Sequence, residues 1–242
     1  MPGLMLDHVG FAGPDLEQMR EEWQRLGFLP TSPQALHTVG SGGERADLGQ
    51  RSCHVMLERG YVELTEVRSS ASGHHLAPWL ARGPGLCIIA HGVDDLRAWR
   101  AGCDDPAMSA LMSATRRIDY GERAGMRGDA LFLWCMRDPA VTPVALECVV
   151  EHVTPELVFQ AGVQHHPNGV HALDGLQVAG GRVVALGLQT RDLDALRASL
   201  AGAGTRWVEA PANAADGCGG PIVEVELATA PGCRLRFSAA TA

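Results

Sequence analysis

Three stretches of this chain share one pattern, and that pattern limits the fold more than any other feature. They are LDHVGFAGPDLEQMREEWQRLGF (residues 6–28), GLCIIAHGVDDLRAWRAGC (85–103) and RVVALGLQTRDLDALRASLAGAG (182–204). Each reads as a short apolar strand, an Asp-Leu pair and a helix, the pairs being Asp15-Leu16, Asp95-Leu96 and Asp192-Leu193. An aspartate at a helix start accepts the unpaired backbone N–H groups there and complements the helix dipole. In the first helix Leu16, Met19, Trp23 and Leu26 recur at helical spacing, and Gly27 stops the run.

Each helix is followed by a pair of alternating or apolar segments that predict strands: 52–58 with 61–67, 130–136 with 144–150, and 222–228 with 233–239. Arg59-Gly60 and Pro231-Gly232 supply hairpin turns. A further strand is expected between helix and hairpin each time, around 36–39, 117–120 and 206–208. The unit is therefore β-α-β-β-β, an α+β arrangement used repeatedly. The expected division is a first module at 1–82, a second at 83–153, a connecting loop segment at 154–181 and a divergent third module at 182–242. Pro155, Pro167, Asn168 and Gly169 mark the connecting segment as turn and loop, and loops are also expected at 69–85 and 211–220.

Charge and composition exclude several classes. A net charge of -8 repels phosphate backbones, so nucleic acid is not an expected partner. No apolar run reaches the ~20 residues of a membrane span. Residues 1–15 lack the basic start and apolar stretch of a signal peptide, which points to the cytoplasm. The seven cysteines include no C-x-x-C pair, and in a reducing compartment they read as small apolar residues. No phosphate loop, nucleophile elbow or dinucleotide fingerprint is present.

Three local patterns carry a resemblance. They are L-D-H-V-x-F-A-x-x-D-L at 6–16, G-x-R-x-x-x-V-x-L-x-x-G-Y-V-E-L at 49–64, and L-E-C-V-x-x-H-x-T-P-E-L at 146–157 followed by H-P-N-G at 166–169. With the paired β-α-β-β-β units, they resemble the vicinal oxygen chelate superfamily and, within it, the glyoxalase-like domain family. The superfamily includes glyoxalase I, extradiol dioxygenases, epimerases of acyl-CoA substrates and bleomycin-resistance-type proteins. The chain departs from the family in the segment from Gly49, where a Thr and an Asn are usual and this chain has Gln50 and Ser52.

The resemblance implies modules curled as mixed sheets around a cup that holds a divalent metal. Ligands are expected from the first and last strand of each module. Seven residues before each Asp-Leu aspartate stand His8, Ile88 and Ala185. The last-strand positions are read as Glu63, Glu147 and Arg236. His8, Glu63 and Glu147 thus form the expected metal set, with Ile88 in place of a fourth ligand. By ligand type they suit Zn, Mn, Fe or Ni. Each has a plainer reading too: a histidine satisfied by a backbone carbonyl, or a glutamate turned to solvent. His54, Trp134, His152, His166 and Asn168 are expected to line the cup and bind substrate. His91 is expected on a different face from Ile88, and His74-His75 in a solvent-exposed loop.

Two readings follow. One is a metal-dependent lyase or isomerase acting on a small oxygenated molecule, with Glu147 as the base, as the glyoxalase I resemblance implies. The other is a metal-free binding protein for a drug or metabolite, its cup lined by Trp134, Phe132 and Met56. An extradiol dioxygenase would need two histidines and a glutamate around Fe(II), and only one histidine stands at the expected positions. A homodimer is compatible with either.

Overall fold

An amphipathic helix behind a strand buries its apolar stripe against the sheet that strand joins. The computed structural model, which describes residues 4–40, 42–68, 74–210 and 220–240, uses this solution three times. The first unit comprises β1 (Met5–Gly13), α1 (Leu16–Arg25), β2 (Gln34–Val39), β3 (Arg45–Met56) and β4 (Tyr61–Val67). A short helix, α2 (Ala77–Leu80), precedes the second: β5 (Gly85–Gly92), α3 (Leu96–Ala101), β6 (Met112–Ile118), β7 (Gly128–Met136) and β8 (Leu146–His152). After α4 (Pro155–Val158) come β9 (Val170–Ala179), β10 (Arg182–Thr190), α5 (Leu193–Gly202), β11 (Trp207–Ala210), β12 (Ile222–Glu226) and β13 (Arg234–Ala239).

The first two units close into one eight-stranded barrel in the order β1-β4-β3-β2-β6-β7-β8-β5. It is mixed: β1 with β4 and β5 with β8 are parallel, and the other pairs are antiparallel. The remaining strands form a five-stranded sheet, β11-β12-β13-β10-β9. The chain is an α+β fold of curled sheets. None of its described helices is long and apolar enough to cross a membrane.

The three aspartates do the same work. Asp15 accepts from Gln18 N at 2.9 Å, Asp95 from Ala98 N at 2.8 Å, and Asp192 from Ala195 N at 2.8 Å. A second acid joins in the barrel. Glu66, at the end of β4, accepts from Leu16 N at 3.2 Å, and Glu151, near the end of β8, accepts from Leu96 N at 2.8 Å. Each ties the start of a helix to the last strand of its own unit.

The outer faces of β1, β3 and β4 pack on α1 and on the five-stranded sheet. Val9, Phe11, Val55, Val62 and Leu64 meet Trp23, Leu186, Leu188 and Phe237 in one buried cluster. Burying side chains of this size stabilises the fold by about 1.5–3 kcal/mol each, so Trp23 is the anchor whose truncation would do most harm.

Several expectations are corrected. The segment 154–181 is not all loop, because β9 occupies Val170–Ala179 and pairs with β10 through a turn at Gly180 and Gly181, both at positive φ. Asp174 and Gly175 interrupt its alternation, which hid it. The segment 69–85 carries α2, residues 69–73 and 211–219 lie outside the described residues, and so does Cys218. The middle strand of the second unit lies at Met112–Ile118, earlier than expected.

Candidate functional site in the barrel

Side chains alternate across a strand, so each strand of a barrel sends every second residue inward. From β1 the inward set includes His8, from β4 Tyr61 and Glu63, from β3 Gln50 and His54, from β6 Arg116, from β7 Phe132 and Trp134, and from β8 Leu146, Cys148 and Val150. Most of these line a cavity of about 90 Å³, closed on one side by Ile88. Its wall is largely apolar. The polar groups are few and concentrated.

Glu63 lies with its Oε2 4.0 Å from His8 Nε2, and its Oε1 accepts a 2.7 Å hydrogen bond from Thr65 Oγ1. His8 stacks on Tyr61 with ring centroids 4.3 Å apart. Tyr61 in turn meets the His54 ring edge-on at 5.5 Å. Arg116 Nη1 donates to His54 Nε2, which makes that nitrogen an acceptor and the imidazole neutral. Burial, then the neighbouring Arg116 charge, holds His54 well below its ordinary pKa. Arg116 is 4% exposed, with its guanidinium carbon 5.3 Å from the Phe132 ring centroid. Its Nη2, the Oε1 of Gln50 and the Oγ of Ser52 are buried with no hydrogen-bond partner among the described residues.

Behind His8 lies a second polar group. The pairing of β1 with β5 shifts between Leu6 and His8, leaving Asp7 as the extra residue of a bulge. The carboxylate of Asp7 reaches His8 Nδ1 at 2.7 Å, and its two oxygens reach His152 Nε2 at 3.0 and 3.2 Å. The two imidazoles overcome the effect of burial and hold the Asp7 carboxyl far below the usual carboxylate range.

The register now places the expected residues. Gly10 pairs with Glu63, Ala90 with Cys148 and Gly187 with Arg236. The counterpart of Glu63 in the second unit is therefore Cys148, not Glu147. Glu147 points out of the barrel, half-buried, with its Oε2 3.4 Å from Arg137 Nη1 and in the company of His91. The structure brings His8 and Glu63 together and separates Glu147 from both. Matching glutamate to glutamate slid the alignment by one residue, and one residue turns a strand inside out.

Trp134 lines the cavity, His54 does not line it but contacts Arg116, which does, and His152 faces Asp7. His166 and Asn168 do not reach it. His166 accepts from Leu29 N at Nδ1 (3.1 Å) and donates from Nε2 to Met56 O (2.8 Å). Asn168 donates to Leu26 O at 2.9 Å and accepts from Val170 N at 3.2 Å. These two side chains strap the segment after the barrel to the end of α1, satisfying buried backbone groups. Burial lowers the His166 pKa to about 4. Sequence reasoning missed Asp7, Arg116 and His75. His75 lines the cavity with its pKa pushed by burial down to about 4. Asp7 stood beside His8 in the L-D-H-V pattern, but only the bulge lets neighbours share a side.

A metal at the family's ligand positions does not fit these residues. Two of the four, His8 and Glu63, carry suitable donors. Ile88 fills the third, packed so tightly on β1 that a Cβ at Gly10 would lie 2.6 Å from its Cδ1. Cys148 is a buried thiol pushed up by burial and by Glu63. Among the described residues, the group of His, Cys, Asp or Glu whose ligand atoms come within 4.8 Å of one another is Asp7, His8 and His152, which excludes Glu63 and Cys148.

Paired β-α-β-β-β units closed around an inward-facing set of first-strand and last-strand residues define a vicinal oxygen chelate protein. Residues 6–186 match the sequence model of the family described as "Glyoxalase-like domain", and the chain belongs to that family. Comparison with curated proteins gives no match. Among solved structures, a methylmalonyl-CoA epimerase from Streptomyces coelicolor, in complex with 2-nitronate-propionyl-CoA, is 22% identical. That match covers 63% of this chain and 97% of the epimerase, with a TM-score of 0.42. A hypothetical protein from Staphylococcus aureus is 8% identical, with 99% of this chain and 87% of that one covered and a TM-score of 0.50.

Proposed function

We propose that the barrel binds a small oxygenated anion and moves a proton on it, an isomerase or lyase type of reaction. The observation that carries this is Arg116. It is a permanent cation, buried in a mostly apolar wall, with the neutral side chains of His54 and Tyr120 as neighbours, no carboxylate paired with it and Nη2 without a hydrogen-bond partner among the described residues. A buried charge of this kind is strongly unfavourable unless something completes its hydrogen bonds. A carboxylate or enolate oxygen is the complementary group, and a guanidinium fork suits it. Gln50 and Ser52 add two further buried polar atoms on the same inward face.

Across the cavity, Glu63 and His8 form the proton-handling pair. Glu63 is the base in this reading, steadied by Thr65, and the role expected of Glu147 passes to it. His8 Nε2, 4.0 Å away, accepts or returns the proton, while Asp7 at Nδ1 fixes the ring. Arg116 stabilises negative charge developing on the bound oxygen. No step needs a metal at the family position.

The test uses a panel of small 2-oxo and 2-hydroxy carboxylates, with binding read by calorimetry and α-proton exchange in D2O read by NMR. Arg116→Met should abolish binding. Glu63→Gln should keep binding within about tenfold and stop exchange, on the usual scale for loss of a general base. Arg116→Met that binds as well as the parent would refute the reading. The binding-protein alternative rests on the apolar wall of Phe132, Trp134, Ile88, Leu146 and Val150. It gives binding without exchange in the parent chain.

A further inference from the structure

We infer that Asp7, His8 and His152 form a site for a first-row divalent cation, displaced from the family's own metal position. The three residues bring one carboxylate and two imidazoles together, with ligand atoms all within 4.8 Å. The contacts of 2.7, 3.0 and 3.2 Å between carboxylate and ring nitrogens are near the spacing of neighbouring donors around such an ion. Metal–ligand distances of about 2.0–2.2 Å put neighbouring donors about 3 Å apart. Two histidines and one carboxylate are a donor set that holds Fe(II) or Zn and leaves positions open.

The surroundings favour this use. All three side chains are close to fully buried, at 9%, 12% and 8% exposed for His8, Asp7 and His152. The His152 ring is boxed by Phe132 and Phe159, with centroids at 5.3 and 4.8 Å, so it arrives preorganised. Asp7 gains its place from the bulge in β1 and from Gly92, where a Cβ would lie 3.1 Å from Asp7 Oδ2. A separate cavity of about 550 Å³, outside the barrel beside α3, exposes Asp7 and His152 on its wall. Asp94 and Asp95 stand on the same wall. Their charge draws cations toward this opening.

The site shares the His8 ring and Asp7 with the anion reading but takes different atoms: its donors are His8 Nδ1, Asp7 and His152 Nε2, while the cup uses His8 Nε2, Glu63 and Arg116, and a bound ion would replace the Asp7 hydrogen bond at Nδ1 in holding the ring. The experiment is a titration of the full chain, stripped with chelator, with Zn²⁺ by calorimetry and with Co²⁺ by visible absorption. The expected result is one ion per chain. Asp7→Asn and His152→Gln should each weaken binding at least about tenfold, and Glu63→Gln should leave it within about threefold. Far-UV circular dichroism checks that each variant is folded, and either of the first two suffices if the other is not. Absence of binding by the parent chain overturns the inference. So does binding that survives both Asp7→Asn and His152→Gln, or that is lost in Glu63→Gln instead.

Discussion

Acid should loosen this protein at a defined place, the strap made by His166. Its imidazole accepts from Leu29 N and donates to Met56 O, an arrangement only the neutral ring can keep. Burial sets its folded pKa at about 4, against 6.5 for a free histidine. The unfolded chain therefore binds more protons between those values, and stability falls as pH drops through that window. Above pH 6.5 the contribution is complete. It is reduced by about 2 kcal/mol at pH 5 and by about 3 kcal/mol at pH 4. His75 and His54 act in the same direction, so the wild-type slope alone does not isolate the strap. A comparison with His166→Gln does. At pH 7 the variant should be less stable by about 1–3 kcal/mol, because it disturbs two buried hydrogen bonds. Glutamine does not titrate, so the gap to wild type should close by about 2 kcal/mol at pH 5. Urea unfolding followed by tryptophan fluorescence and far-UV circular dichroism reads both numbers, and coincidence of the two probes validates the two-state treatment. A gap that is the same at pH 7 and pH 5, to within about 0.5 kcal/mol, refutes the assignment.

Asn168→Ala should destabilise by about 2–3 kcal/mol at neutral pH in the same urea assay, since it strips Leu26 O and Val170 N of their buried partners. Glu147→Ala should change stability by less than about 1 kcal/mol and leave anion binding intact, because its pairing with Arg137 is at a half-open surface. Gly10→Ala should lower thermal stability through its collision with Ile88, and Ile88→Ala in the same chain should restore part of the loss. If Gly10→Ala is silent, the inner wall is looser than described.

What could be read from the sequence was local. The Asp-Leu pairs announced three helix starts because a cap acts within three residues of itself, and each aspartate does cap its helix. Apolar runs and Gly or Pro turns announced most strands for the same reason. The edge strand β9 escaped because Asp174 and Gly175 break its pattern, and its partner strand supplies what the sequence does not. The site was half legible. His8 and Glu63 could be found by counting from the repeats, whereas Glu147 shows how counting fails when two strands differ by one residue in alignment. Arg116 gave no signal at all, because Arg116 and Arg117 look alike in sequence and only the closure of the barrel sends one inward and the other to solvent. His166 and Asn168 looked like ligand-binding residues because polar groups in a loop usually face outward, but here their partners are backbone groups, three of the four more than 100 positions away.

The paired acids Glu66 and Glu151 have a wider consequence. Each reads the position of its strand by reaching the first amide of its own helix. A slip of that strand by one step would leave the helix unanchored and, in the same movement, would exchange the lining of the chamber for its outer wall. An error of alignment in the chamber would thus show itself outside it, as a helix that has lost its anchor.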